Sequence, residues 1–292
     1  MNKNNKVKAI ILMLFSSFSF AAMGAFVKLG GEIPSFEKAF FRNLVSLFIA
    51  IFMIKKTKQK CFGKKETRIY LWGRGILGTL GVLAYFYGID RLLLADSGML
   101  NKVNPFFVIV FAAIFLKDKI TKYQMYSLFM ATLGVILIIK PSFAFQDSIP
   151  AIICLMSAVF AGMAYVFVSY LGDKENAYVI VFYFSFISTL VSGILIIHNF
   201  IMPNFKQLIF LILAGITAAL GQFALTYAYK YAPAGEVSIY NYSNVIFSSL
   251  LGVLIFSEIP DLLSFIGYGF IIIAGYLIFR FGKDKQFSNK TL

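Results

Sequence analysis

The chain alternates between long apolar runs and short polar connectors. Ten runs of roughly 18–25 residues have the length of membrane-spanning helices. They lie at 9–28, 36–54, 69–89, 92–116, 122–140, 149–171, 178–198, 206–229, 233–256 and 261–280. The longest connector is Lys55 to Arg68, and no stretch has the length of a separate soluble domain. The pattern predicts an all-α polytopic membrane protein with ten transmembrane helices. The first run follows Lys3, Lys6 and Lys8 and ends in small residues, as a signal peptide would. It is longer than a cleaved apolar region and has an internal copy, so it is read as a span.

One stretch breaks the pattern. Ala95 to Pro105 lies inside an apolar run, yet it carries Asp96, Asn101, Lys102 and Asn104. A Lys or Asp at the centre of a span costs about 2.5–3.5 kcal/mol on insertion scales. Groups kept there need a cavity, a partner or a ligand.

Composition agrees with the pattern: 60% of residues are hydrophobic and 14% charged, with a mean hydropathy of +0.82. Soluble domains carry about 25% charged residues. The net charge of +14 does not point to nucleic acid, because the basic residues sit in connectors. They concentrate before the first span, within 55–68, at Lys117, Lys119 and Lys122, and in the C-terminal tail. The positive-inside rule then places both termini in the cytoplasm, with a plasma membrane of the bacterial cytoplasmic type as the expected location. Cys61 lies in a connector and Cys154 in a span, so they form neither a disulfide framework nor a metal cluster. His198, the single histidine, ends a span and reads as interfacial.

A shift of 140 positions superposes the chain on itself. Ser17, Phe20, Ala21 and Met23 fall on Ser157, Phe160, Ala161 and Met163. Gly75, Leu80, Gly81, Ala84 and Tyr87 fall on Gly215, Leu220, Gly221, Ala224 and Tyr227. Asn101 and Asn104 fall on Asn241 and Asn244, and Asp96 on Glu236. Each half holds five spans, an odd number, so the second half is inverted. The halves are expected at 1–143 and 144–292. Inverted repeats put solute sites near the midplane, at the repeat interface.

The residues that repeat resemble a known family. FFRNL (Phe40 to Leu44), GTLGVLAYFYGI (Gly78 to Ile89), FLKDKIT (Phe115 to Thr121) and LGVILIIKP (Leu133 to Pro141) recur in part as GQFALTYAY and FSEIP. In order and spacing they resemble the EamA family of the drug/metabolite transporter superfamily. That resemblance implies ten helices in two inverted five-helix repeats, and transport. Two departures stand out: Asp118 where the family often has Glu, and Lys102 where a neutral residue is more usual.

The candidate solute-binding residues are Asn101, Lys102 and Asn104 in the fourth span and Tyr240, Asn241 and Asn244 in the ninth. Gln222, Thr226 and Tyr227 in the eighth and Tyr87 in the third join them. The amides would exchange hydrogen bonds with a polar solute, or else bridge helices. Lys102 would meet an anionic group such as a carboxylate. Glu236, Tyr240 and Asn244 are spaced to share one helical face. Asp96 and Glu236 are candidates for gating or proton coupling, and Pro105 for a kink or hinge. Arg42 and Arg74 are expected at span ends, in headgroup or structural roles.

The function expected is secondary-active export or exchange of a small polar metabolite, such as an amino acid or related carboxylate, by alternating access. Protons or a counter-substrate would drive it, since no nucleotide-binding loop occurs. Membrane lipids are the other partners expected, nucleic acid is not, and a homodimer is left open. No catalytic constellation, metal site or cofactor is expected. Alternatives are a flippase or exchanger for lipid-linked or phosphate-ester substrates, or a receptor or structural membrane protein.

Overall fold

The computed structural model describes residues 3–60, 62–89, 91, 98, 100–139, 148–197, 200–257 and 260–281. Helices appear in each of the ten expected spans. These are α1 (Lys3–Leu29), α2 (Ser35–Lys56), α3 (Arg68–Ile89), α4 (Asn104–Phe115), α5 (Lys122–Ile139), α6 (Ser148–Leu171), α7 (Ala177–Ile196) and α8 (Phe205–Tyr231). The ninth span is divided into α9 (Ala234–Val237), a 3-10 segment (Ser238–Tyr242) and α10 (Ser243–Phe256), and the tenth is α11 (Leu262–Phe281). Seven helical stretches, α9 to α10 counted as one, are long and apolar enough to cross a membrane by length and composition alone. Most of the fourth span before Asn101, with Asp96, lies outside the described residues, as does the expected boundary at 143/144.

Local chemistry sets several helix ends. Asn204 and Gln207 close a reciprocal capping box on α8, and the Asn176 side chain accepts from the Tyr178 N–H at the start of α7. Such caps satisfy amides that the first helical turn leaves free. Lys117 and Ser257 follow the fourth and ninth spans, and both are left-handed, at φ 57° and 56°. They occupy the same place in the two repeats. This is a helix-ending conformation that glycine adopts without strain.

Helix packing obeys the exchange of the two halves. α1 runs along α8 as α6 runs along α3, and α2 packs on α8 as α7 packs on α3. α1 meets α10 as α6 meets α4, while α2–α7 and α5–α11 map onto themselves. The chain therefore forms the ten-helix, two-repeat inverted fold. The Lys6 ammonium donates to the Ile278 carbonyl at 3.2 Å, which sets the start of α1 beside the end of α11. Both ends of the described helical bundle thus lie on one side.

Small residues let these helices approach. Ser16 donates to the Gly221 carbonyl at 2.7 Å between α1 and α8. At the equivalent crossing, a Cβ on Gly81 would lie 3.3 Å from the Ser157 carbonyl oxygen. α5 and α11 also approach closely: a Cβ on Gly134 would lie 2.6 Å from the Gly267 carbonyl oxygen, and the reverse distance is also 2.6 Å. Large apolar side chains such as Phe48, Phe52, Ile69 and Leu254 point outward and stay exposed, as lipid-facing residues do.

Gly134→Val is expected to force α5 from α11 and destabilise the protein by about 1–3 kcal/mol, seen as a lower melting temperature in detergent. Ser257→Gly relieves the left-handed position and is expected to stabilise by about 1 kcal/mol in the same measurement.

Candidate functional site

The fourth and ninth spans both leave the α-helix at the Asn residues of the repeat. In the fourth, the chain turns at Lys102 and Val103. The Val103 and Phe106 amides bond to carbonyls only three residues back, those of Leu100 and Val103. Pro105 follows, buried in the first turn of α4, and has no N–H to continue the ladder. The Asn101 carbonyl accepts from the Asn104 side chain at 2.9 Å. In the ninth, the Tyr240 carbonyl accepts from Ser243 Oγ at 2.6 Å and Ser17 Oγ at 3.4 Å. Carbonyls freed at membrane depth thus find side-chain donors, as an apolar surrounding demands.

Between these interruptions lies a cavity of about 260 Å3. Asn101, Lys102, Asn104, Gln222, Asn241 and Asn244 line it, together with Arg42, Arg74, Tyr85, Tyr165 and Phe184. Six of the thirteen site residues proposed from the sequence are therefore brought together. Lys102 Nζ donates to Asn244 Oδ1 at 2.5 Å, and Asn244 Nδ2 donates to the Ser17 carbonyl at 2.9 Å. This chain of bonds joins the fourth, ninth and first spans. Asn101 Nδ2 donates to Ser157 Oγ at 3.0 Å, joining the fourth to the sixth.

Arg42 and Arg74, expected in headgroup or structural roles, both line the cavity, which removes the headgroup alternative. Arg74 is 2% exposed, and its guanidinium lies over the Phe184 ring at 4.3 Å. Gly78 stands one turn further along α3, where any Cβ would collide with Arg74 Nη1. An arginine four residues before a glycine, inside a span, was the available sequence signal, because glycine leaves the room in which the guanidinium folds back. The Nε groups of Arg42 and Arg74, Gln222 Nε2 and Asn104 Oδ1 are buried with no hydrogen-bond partner in the protein. No described acidic residue lines the cavity.

The remaining expected site residues lie elsewhere. Tyr240 does not share the face of Asn244: its hydroxyl donates to the Gly275 carbonyl of α11 at 2.9 Å. The reason is the 3-10 winding of residues 238–242, which advances about 120° per residue where an α-helix advances about 100°, so spacing by four no longer returns to one face. Thr226 Oγ1 donates to the Gln222 carbonyl at 2.8 Å within its own helix. Tyr227 sets its ring edge-on against Tyr178, and Tyr87 lies under the Arg91 guanidinium at 3.9 Å. Glu236 pairs with Lys6 at 3.1 Å, with both side chains buried, and does not line the cavity. Lys6, expected in a solvated connector, is buried by this pair. Asp96 lies outside the described residues.

A bundle of this build, with interrupted helices around a central polar cavity, has the form of a membrane transporter. The EamA-like transporter family matches residues 7–140 and 148–280, and the chain belongs to that family. It is 33% identical over 276 residues to the pseudopaline exporter CntI of Pseudomonas aeruginosa, a match covering 94% of this chain and 96% of that one. It is 27% identical to human solute carrier family 35 member G1, across 85% of this chain and 72% of the relative. A solved crystal structure with 13% identity shares the fold at a TM-score of 0.82, over 92% of this chain and 95% of its own.

Glu236→Gln leaves the Lys6 ammonium buried without its carboxylate and is expected to destabilise by about 3–5 kcal/mol. Combining it with Lys6→Met is expected to restore most of the loss. Thermal denaturation in detergent reads both.

Proposed function

We propose that this chain is a secondary transporter of a small anionic or zwitterionic metabolite, such as an amino acid or related carboxylate, working by export or exchange. One observation carries the reading: Lys102, Arg42 and Arg74 converge on one cavity that no described carboxylate lines. Cations at membrane depth are costly unless paired, and a solute carboxylate would supply the missing charge. The guanidinium fork suits a two-oxygen anion, and Lys102 a point contact. The unpartnered donors of Gln222, Arg42 and Arg74 would bond to such a solute, and Asn101, Asn104, Asn241 and Asn244 would fix its orientation. The name of the Pseudomonas relative makes that protein an exporter, which supports the outward direction here.

In this reading the two halves, 1–143 and 144–292, rock about the interrupted fourth and ninth spans, with Pro105 at one hinge. The membrane would be a bacterial cytoplasmic membrane, with both termini inside. Protons or a counter-substrate would supply the energy. Asp96 is the carboxylate to test for proton coupling, because Glu236 is held by Lys6 in this conformation. A phosphate ester is the second reading, favoured by the same three cations.

A thermal-shift screen of purified protein against carboxylates, amino acids, phosphate esters and amines tests the proposal. A carboxylate solute is expected to raise the melting temperature, and Lys102→Ala and Arg74→Gln to weaken it at least about tenfold, the scale of one lost charge-assisted bond. A response to phosphate esters alone selects the second reading. A preference for amines, or equal responses of wild type and Lys102→Ala, overturns both. In proteoliposomes, proton coupling through Asp96 predicts that Asp96→Asn abolishes the response of uptake to a pH gradient.

A further inference from the structure

The 3-10 segment at Ser238–Tyr242 has two sides. Asn241, with Asn244 just beyond, faces the polar cavity. Ile239 and Tyr240, with Ser243, face the opposite way, into a second and larger hollow of about 540 Å3. This hollow is a groove on the outside of the bundle, between α1 and α11, with the interrupted ninth span as its floor.

Its walls exclude a polar solute. They are formed by side chains such as Val7, Leu14, Phe247 and Phe279. The polar groups of its floor are already engaged, Tyr240 with the Gly275 carbonyl and Ser243 with the Tyr240 carbonyl. The rim opens to the hydrocarbon: Ile11 is 59% exposed and Ile272 63%. An apolar hollow facing lipid gains dispersion contacts only from an apolar occupant, and the surrounding phase supplies acyl chains.

One end of the groove lies next in sequence to exposed cations. Val7 and Phe279 line its end on the side where both ends of the bundle meet. Their neighbours in sequence, Lys8 and Arg280, are exposed cations. Lys6 is not available there, being buried against Glu236 and the Ile278 carbonyl. Exposed basic residues at the end of a span attract anionic headgroups.

We propose that this groove binds an anionic phospholipid, with an acyl chain laid against the 3-10 segment and the headgroup held at Lys8 and Arg280. The lipid would buttress, from behind, the segment that carries Asn241 and Asn244. The site is separate from the solute cavity, and the inference does not depend on which solute the cavity takes.

The test uses the full chain purified in detergent. Phosphatidylglycerol and phosphatidylcholine with identical acyl chains are titrated in, with melting temperature and native mass spectrometry as readouts. Phosphatidylglycerol is expected to stay bound and raise the melting temperature, and phosphatidylcholine to do so weakly. Lys8→Gln and Arg280→Gln are each expected to weaken retention about fivefold, the scale of one interfacial charge. Ile11→Trp with Ile272→Trp fills the groove from lipid-exposed positions. It is expected to abolish retention while helix content and elution volume stay unchanged. Equal retention of the two lipids overturns the proposal, as does a tryptophan variant that binds like wild type. So does a wild-type dimer that the tryptophans convert to monomer, which would make this face a contact between two copies.

Discussion

Polar groups at membrane depth have no water to fall back on, and this constraint organises the structure. Several departures from a regular apolar helix are tied to a partner in another helix. The break in the ninth span leaves the Tyr240 carbonyl free, and Ser17 and Ser243 reach it. Lys102 leans on Asn244, which leans on the Ser17 carbonyl. Lys6 is held by Glu236 and by the Ile278 carbonyl. These ties join the first, fourth, ninth and tenth spans, so the polar groups fix which of these helices are neighbours.

The two halves share a frame but not a charge distribution. Their packing exchanges helix for helix, their left-handed helix ends match at Lys117 and Ser257, and their Asn pairs face one cavity. The cations do not match. Arg42, Arg74 and Lys102 all come from the first half, and the shifted positions hold Phe182, Ala214 and Tyr242. The second half contributes neutral groups to the cavity, among them Tyr165, Gln222, Asn241 and Asn244. The symmetric part builds an inverted bundle. The asymmetric part brings three cations to the cavity from the first half alone, and in the function proposed here discrimination between solutes would arise there, because charge is the costliest property to leave unmatched in an apolar surrounding.

Much of this was legible in the sequence, for physical reasons that also mark where legibility ended. Span lengths follow from bilayer thickness, and the odd number of spans per repeat dictates inversion, so the architecture could be read directly. Asn101, Asn104, Asn241 and Asn244 stood out because amides are rare in apolar runs. Tyr240 was misplaced because spacing by four presumes an α-helix, and the winding changes at Ser238. A headgroup role stood among the alternatives for Arg42 and Arg74 because charges near span ends are usually solvated. What turns Arg74 inward is the room above Gly78 and the ring of Phe184, contacts between residues far apart in sequence. Lys6 was hidden likewise, since its carboxylate lies 230 positions away, at Glu236.

The interrupted ninth span is a thin partition. On one side Asn241 and Asn244 line a polar cavity, and on the other Ile239 and Tyr240 line an apolar groove. A 3-10 turn is held less well than an α-helix, because its hydrogen bonds are poorer in geometry. Its position therefore depends on what presses on each face. A solute that bonded to Asn244 would compete with Lys102 for the same oxygen, while a lipid behind Tyr240, as proposed, would support the contact with Gly275. Two ligands that bias one movable element are linked thermodynamically whether or not they touch. If both proposals hold, the partition would give the surrounding lipid a physical route to influence solute binding without entering the cavity.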